Sequence, residues 1–558
     1  MFKGHPRGLI IASLANMGER FGFYTMYAIF VLFIQAKYGF DSTKAGIIWS
    51  GFLFGVYFLP LAGGLIADRV LGYGKTVTLG ILIMFIGYIL LALPLRGDTS
   101  IWLVIVALFT IALGTGLFKG NLQALVGNLY DDPQFSAKRD AAFTIFYMCI
   151  NIGAMFAPTA AESVNNYILS GAGYTYDAHI PALAHKYLAG TLENASEYLA
   201  IAQLQDPSIV MDNLKNFSEN YINTLSKSYH YGFGVACLSL IVSTIIFLGF
   251  KKYYRHADYS EKQKAANADM KGQVVEMSYE DTRKRLIALF FLFFVVIFFW
   301  MSFHQNGLTM TYFARDFTYP SVGKITNLWF DLFTLLPILL SAVGVVMLFR
   351  KSLQMQTKVI GAIMFIGFAF FAYYRFRGFE DVNPFTPQKF QHFNPFFIVA
   401  LTPLVLGIFS WLREKGKEPS SPKKIGIGMI LTAIGFTILI FASIGLPSPK
   451  SLEGTVSDHL VSPYWLISTY LVLTIAELFL SPIGISFVSK VSPPKYKGLM
   501  QGGWLAAVSI GNLLVGVMGV FWNIVPLPLF WAILVICCIL SATFIFIMLK
   551  RLEKATQT

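Results

Sequence analysis

"ANMGERFGFYTM", Ala15 to Met26, sets an adjacent acid and base, Glu19 and Arg20, inside an apolar run that extends from about Leu9 to Ile34. At 1.5 Å of rise per residue such a run crosses the roughly 30 Å hydrocarbon core of a bilayer, with the charged pair near mid-crossing. Each charge there costs roughly 2.5 to 3.5 kcal/mol on insertion scales, so the pair is expected to avoid lipid. Helical spacing collects Asn16, Glu19, Arg20, Phe23, Tyr24 and Tyr27 on one stripe, which is expected to face protein or water.

The rest of the chain agrees with a membrane setting. Of its 558 residues 56% are hydrophobic, 16% aromatic and only 13% charged, far too apolar for a soluble protein of this length. The fold class read from this is an all-α membrane protein. The net charge of +13 resides in short loops on alternate sides of the spans, so it records topology and not a nucleic-acid partner. Cys149, Cys237, Cys537 and Cys538 all lie within apolar runs, which implies neither a disulfide framework nor a thiolate metal site. The basic "MFKGHPRG" start precedes a run too long for a signal-peptide core, and is read as the lead-in to a retained first helix.

Apolar runs begin near Leu9, Ala45, Thr76, Ile101, Ala141, Tyr231, Leu286, Leu328, Val359, Phe396, Ile425, Pro463, Leu499 and Leu527, giving about fourteen spans. The loops "ADRVLGYGKT", "SAKRD", "KKYYRH", "FRKSLQMQTK", "LREKGKEPSSPKK", "SKVSPPKYKG" and "LKRLEK" are basic and fall on one side, predicting that both termini are cytoplasmic. Residues 1–250 are expected to form a first six-helix bundle carrying a helical lobe outside the cytoplasm at 166–228. Residues 251–284 are expected to link it, within the cytoplasm, to a second six-helix bundle at 285–558. Two spans at 326–378 form an inserted hairpin, since Arg350, Lys351 and Lys358 lie between them. Without it the chain has the two-times-six plan of transporters built from repeated bundles.

The stretch "GGLIADRVLGYGKT" at Gly63 to Thr76 pairs glycines that permit close helix approach with Asp68, Arg69 and Lys75, which are expected to form a charged cytoplasmic latch. It resembles the loop motif of the major facilitator superfamily in the variant of the proton-dependent oligopeptide transporter family, bacterial type. The match narrows with "ERFGFY" (19–24), "GTGLFKGN" (114–121) and "FYMCINIGAMFAP" (146–158). It narrows further with "FFWMSFHQNG" (298–307), "FQHFNPFF" (390–397) and "ELFLSPIGISFVSKVSP" (477–493). The fold this resemblance implies is the major facilitator fold, two six-helix bundles plus the inserted hairpin.

The resemblance implies secondary active symport of di- and tripeptides with protons, by alternating access of the bundles, and no other cofactor. It assigns proton coupling and gating to Asn16, Glu19, Arg20, Lys119 and His304. It assigns substrate contact to Phe23, Tyr24, Lys119, Asn151, Trp300, Asn394, Glu477, Ser481 and Trp504, with Glu477 holding the peptide amino terminus and Lys119 its carboxylate. On the residues alone, alternatives stand beside these roles. Lys119 is either that central cation or a lysine snorkelling to the interface. Glu477 is either a binding group or an acid satisfied by neighbouring helices. Asn151 and Asn394 bond a peptide backbone or glue helices together, and Tyr24, Trp300 and Trp504 line pockets or pack the core.

The sequence also departs from the family pattern. Asn16 stands where the family has a first glutamate, and Phe23 replaces a tyrosine. Gly120 replaces the proline after Lys119, and His304 replaces the acid four residues after Trp300. The hairpin lies between spans seven and eight instead of six and seven. Two carboxylates of the usual proton path are absent, so the resemblance implies either altered coupling, with His304 as a titrating imidazole of ordinary pKa about 6.5, or a neutral His304 hydrogen-bonded between helices. A carrier of nitrate, an amino acid or a drug-like solute is the alternative within the family. A membrane enzyme lacks a nucleophile or metal constellation here, an ATP-driven pump lacks its phosphate loop, and a channel lacks a continuous polar face. The expected setting is the inner or plasma membrane, with the lipid bilayer and small peptides as partners and a monomeric state.

Overall fold

The computed structural model describes residues 4–93, 101–136, 138–259, 277–452, 454–493 and 496–557. Among them fourteen helices are long and apolar enough to cross a membrane. The first bundle contains α1 (Arg7–Tyr38), α2 (Ser42–Ile66), α3 (Tyr73–Ala92), α4 (Ile101–Asn128), α5 (Arg139–Gly171) and, after two lobe helices α6 (Ile180–Ala189) and α7 (Ala195–Gln205), α8 (Leu214–Gly249). The second contains α9 (Tyr279–Phe303) and its continuation α10 (Thr309–Asp316), then α13 (Phe393–Glu414), α14 (Ser421–Ala442), α15 (Tyr464–Val491), α16 (Lys497–Trp522) and α17 (Leu527–Gln557). Between the bundles' helices, α11 (Leu332–Phe349) and α12 (Met355–Arg377) form the inserted hairpin.

The hairpin helices pack chiefly on each other, crossing at Gly344 and Gly361, where an added Cβ would overlap the facing backbone. Arg375 pairs with Asp331 at 3.0 Å to tie the hairpin's open end. Most of α12 is exposed and apolar, a surface suited to lipid.

The chain ends lie on the face that carries the basic loops. His5 Nδ1 is 2.6 Å from the Tyr130 hydroxyl in the loop after α4, and Ser420 donates to Glu553 near the end of α17 at 2.5 Å. On the same face Arg413 and Lys424 hydrogen-bond Glu418 and hold its carboxyl down to about 2.

Three expectations need correction. The lobe is smaller than 166–228, because α5 runs to Gly171 and α8 starts at Leu214. The amphipathic stretch 214–228 buries Leu214, Phe217, Tyr221, Ile222 and Leu225 against the lobe and continues unbroken into the span. The lobe is docked on α1, where His185 Nε2–H donates to the Ala36 carbonyl at 2.8 Å beside Gly39, whose φ of 63° ends the helix.

The second correction concerns the loop motif. Asp68 accepts from the Tyr73 hydroxyl at 2.8 Å, while Arg69 and Lys75 are exposed and make no ion pair with it among the described residues. Exposed charges gain little from pairing in water, whereas the α3 N-terminus offers unpaired amides. Asp258 takes that position, accepting from the Gly74 amide at 2.7 Å. Asp258 belongs to the expected linker, whose first part is therefore packed on the first bundle, with Asn128 donating to the carbonyls of Ala257 and Tyr259. Residues 260–276 of the linker lie outside the described residues.

The third concerns the paired glycines. Gly63 lies against the backbone of Gly116 and Leu117 of α4, and its carbonyl receives Asn121 Nδ2 at 3.1 Å, but Gly64 faces open space. Gly63→Ala is therefore expected to lower thermal stability in detergent by about 1 to 3 kcal/mol, since the backbones must part. Gly64→Ala is expected to be neutral or stabilising by up to about 1 kcal/mol; equal melting shifts for the two would contradict this packing.

Candidate functional site

The expected stripe on α1 does face protein. Glu19 and Arg20 are buried and form a two-pronged pair, Nε to Oε2 at 2.5 Å and Nη2 to Oε1 at 2.6 Å. The fork geometry satisfies both carboxylate oxygens without help from another helix. The guanidinium also lies 4.7 Å from the centroid of Phe23, whose ring meets those of Tyr24, Tyr27 and Phe52. Asn16 is buried one turn earlier, and its Nδ2 has no hydrogen-bond partner.

Lys119 projects from α4 with its Nζ 4.0 Å from the centroid of Tyr57 on α2. Glu19 and Arg20 are the charges nearest enough to act on it, yet neither pairs with it. Gly120 beside it opens onto free space. Lys119 is thus a cation held by an aromatic face and not by a counter-ion. The Tyr57 ring lies 5.9 Å from that of His304 in the second bundle.

His304 stands where the first span of the second bundle breaks. Residues His304–Gly307 form a 3-10 turn between α9 and α10, and Gly307 lies against the Tyr27 ring. Irregular backbone at membrane depth is tolerated only where protein or a cavity satisfies it. Here the Asn306 carbonyl receives Gln391 Nε2 at 2.5 Å, the Thr311 hydroxyl at 3.0 Å and the Tyr470 hydroxyl at 3.3 Å. His304 Nδ1 bonds Asn512 Oδ1 of α16, and Trp300 packs on the imidazole at 4.9 Å between centroids. Trp300 Nε1 and Asn512 Nδ2, on either side of His304, are buried donors without an acceptor.

Glu477 of α15 accepts from Asn394 Nδ2 of α13 at 2.9 Å, and Asn394 also reaches Thr474 at 3.2 Å. Tyr147 of α5 approaches it from the first bundle, and Glu477 acts on both Tyr24 and Tyr57. Asn394 is therefore committed to orienting Glu477. Asn151 donates to the Tyr147 carbonyl of its own helix at 3.0 Å. Ser481, one turn past Glu477, shares its face and is half-buried. Trp504 is buried and packs against Gly484 of α15. Tyr57 and Asn512 complete the cluster without any signature in sequence, whereas Tyr147 lies in the stretch "FYMCINIGAMFAP" and Asn306 in the polar "HQNG" that marks the break. Among the described residues no group of His, Cys, Asp or Glu is arranged to hold a metal.

The bundles are closed against each other on the lobe side. Tyr27 donates to Asn306 at 2.8 Å, Arg315 to Gln35 at 2.6 Å and Asn523 to Thr43 at 3.3 Å, and Glu162 holds Thr386 and Lys389. Along α2 and α16, Gly46 faces Gly519 while Gly516 makes room for Ser50. The polar cluster of Glu19, Arg20, Lys119, Tyr57, His304 and Glu477 thus lies between two bundles sealed on one side, the geometry of an alternating-access site.

Comparison with known proteins agrees with this fold. The model of the family described as the POT family matches residues 74–271 and 382–528. The chain is 27% identical over 519 residues to a protein of Xenorhabdus bovienii named dipeptide and tripeptide permease B, covering 91% of this chain and 86% of that one. It is 27% identical over 528 residues to a di-/tripeptide transporter of Lactococcus lactis, covering 91% and 88%. A crystal structure of a POT family transporter in complex with 5-aminolevulinic acid superimposes with a TM-score of 0.67 at 20% identity, covering 99% of this chain and 98% of that one.

The Glu19–Arg20 fork makes a stability prediction. Arg20→Met, which leaves Glu19 uncompensated, is expected to cost about 3 to 5 kcal/mol, whereas Glu19→Gln with Arg20→Met is expected to recover most of that loss. Thermal unfolding in detergent checks it; a double variant no more stable than the single one would contradict the pairing.

Proposed function

The chain belongs to the POT family, and from that premise we propose that it carries di- and tripeptides across the membrane with protons, by alternating access of its two bundles. It is a multi-pass membrane transporter and not an enzyme. The observation that carries the reading is the opposed placement of Lys119 in the first bundle and Glu477 in the second, each facing the interface. A free dipeptide is zwitterionic, so its carboxylate suits Lys119 and its ammonium suits Glu477. Trp300 Nε1 and Asn512 Nδ2 offer donors to the acceptors that a peptide bond brings.

The cation at Lys119 lies within electrostatic reach of the pair Glu19–Arg20, so a substrate carboxylate arriving at Lys119 changes the field on Glu19. Protons are the coupling ion in this reading, with Glu19 and His304 as the candidate carriers. Because Asn16 and His304 occupy positions where the family has acids, facilitated or differently coupled transport of the same solutes is the second reading. The basic loops support a cytoplasmic location for both termini and for the basic face, and an extracytoplasmic one for the lobe. The closed side is then the outer one, in an inner or plasma membrane. We take the working unit to be the monomer in the bilayer, since each chain contains both bundles.

Isothermal titration of the purified protein with a dipeptide and its N-acetylated form tests the Glu477 role. Acetylation is expected to weaken binding at least tenfold in the wild type and little in Glu477→Gln; equal affinity of the wild type for both forms would remove that role. For the proton, the variant that removes the carrier is expected to keep peptide exchange and lose gradient-driven accumulation. His304→Gln and Glu19→Gln compared in proteoliposomes assign the carrier, and undiminished accumulation in both would exclude both residues.

A further inference from the structure

On the lobe side, where α6 meets both bundles, the chain encloses a cavity of about 320 Å3, at the small end of the roughly 300–1,000 Å3 range of ligand pockets. None of Glu19, Arg20, Lys119, Tyr57, His304 and Glu477 lines it, so it is separate from the site between the bundles. Its walls come from three bodies. The first bundle supplies Asp41 and Tyr229, the lobe Ala178 and Lys186, and the second bundle Arg315 and Lys450. Beside it the lobe reaches the second bundle, where the Ala182 side chain lies 3.6 Å from a Cβ built on Gly454.

The buried part of the lining is largely apolar, formed by Leu32, Ala36, Leu225, Tyr229 and Trp522. The polar part carries charges of both signs. Arg315 and Asp316 are buried and bonded to each other at 2.6 and 3.0 Å, with a further Arg315 N–H on Gln35 at 2.6 Å. Asp41 and Lys450 are exposed and belong to opposite bundles, and Lys186 of α6 adds a half-buried cation from the lobe. Asp41 Oδ1 accepts from the Lys44 amide as the cap of α2. An anion entering this cavity meets Asp41 and Asp316, and a cation meets Lys186, Lys450 and Arg315. A zwitterion finds an opposite charge for each end and an apolar floor for its side chain.

We propose that this cavity is a second, outer binding site for a zwitterionic short peptide, occupied while the lobe side is closed, a role that rests on the peptide reading above. The walls part with the bundles, so the cavity is complete only in the closed state. A peptide held there favours that state, because a ligand shifts an equilibrium toward the form it binds better. Asp41 and Lys450 are exposed to water, which weakens their pull, so the outer site fills at higher peptide concentration than the central one. The carrier is therefore inhibited by excess of its own substrate.

Photolabelling with the dipeptide alanyl-photoleucine, whose diazirine inserts into neighbouring side chains on illumination, tests the site when the labelled positions are mapped by mass spectrometry. The wild type is expected to be labelled both on the central helices α4 and α15 and on residues 176–186 or 522–523 around the cavity. Ala178→Phe, which fills the cavity, is expected to lose the second label and keep the first. Asp41→Asn with Lys450→Gln, which preserves a residue able to cap α2, is expected to weaken the second label on the order of tenfold. In proteoliposomes the wild-type rate of dipeptide uptake is expected to pass through a maximum and fall as the peptide concentration rises. Ala178→Phe is expected to saturate without that fall. Labelling confined to the central helices, or a fall in rate retained in both variants, overturns the outer site. Failure of the peptide reading has a different signature, namely loss of the label on α4 and α15.

Discussion

A bilayer supplies no hydrogen bonds, so each charge or freed backbone group placed in it must find its partner within the protein. That constraint orders this structure. Glu19 and Arg20 meet it by folding onto each other within one helix, which frees them from any fixed partner on a neighbour. The break at His304–Gly307 meets it by directing three donors, from three separate segments, onto the Asn306 carbonyl. Lys119 meets it least completely, with an aromatic face and no counter-ion, and it is for that reason the group with most to gain from a passing anion.

The same constraint explains how two bundles work as one machine. Satisfaction within a bundle is permanent, and satisfaction between bundles must be exchanged at every reorientation. Glu19–Arg20, Asn394–Glu477 and His304–Asn512 are of the first kind and keep the site's geometry. Tyr27–Asn306, Gln35–Arg315 and Glu162–Lys389 are of the second kind and define which side is closed. Glycines at Gly46, Gly516 and Gly519 let α2 and α16 approach closely along that seal, so loss of the polar contacts leaves a smooth surface on which the bundles can rock.

Much of this was legible in the sequence, where the signal is local. The stripe from Asn16 to Tyr27, the hairpin with Arg350 to Lys358 at its turn, and the family motifs around Lys119 and Glu477 need only helical spacing or a short pattern. Lobe boundaries were misread because the amphipathic stretch 214–228 is polar enough to pass for a separate lobe helix while forming the outer turns of α8. The expected latch at Asp68, Arg69 and Lys75 failed because exposed charges there face water, and Asp258, far along the chain, holds the α3 terminus instead. Glu162 carried a readable warning, an acid inside an apolar run, but its partner Lys389 lies in another bundle and no spacing rule connects them. Tyr57 and Asn512 were illegible for the same reason: nothing in their local sequence tells which neighbour a third helix will bring.

The central claim is that substrate and proton move together through the site between the bundles. Uptake of a labelled dipeptide into proteoliposomes, with the interior made alkaline relative to the medium, tests it most directly. The account predicts accumulation several-fold above the external concentration, abolished by a protonophore and absent without the gradient. Uptake that only equilibrates, at the same level with and without the gradient, would contradict it.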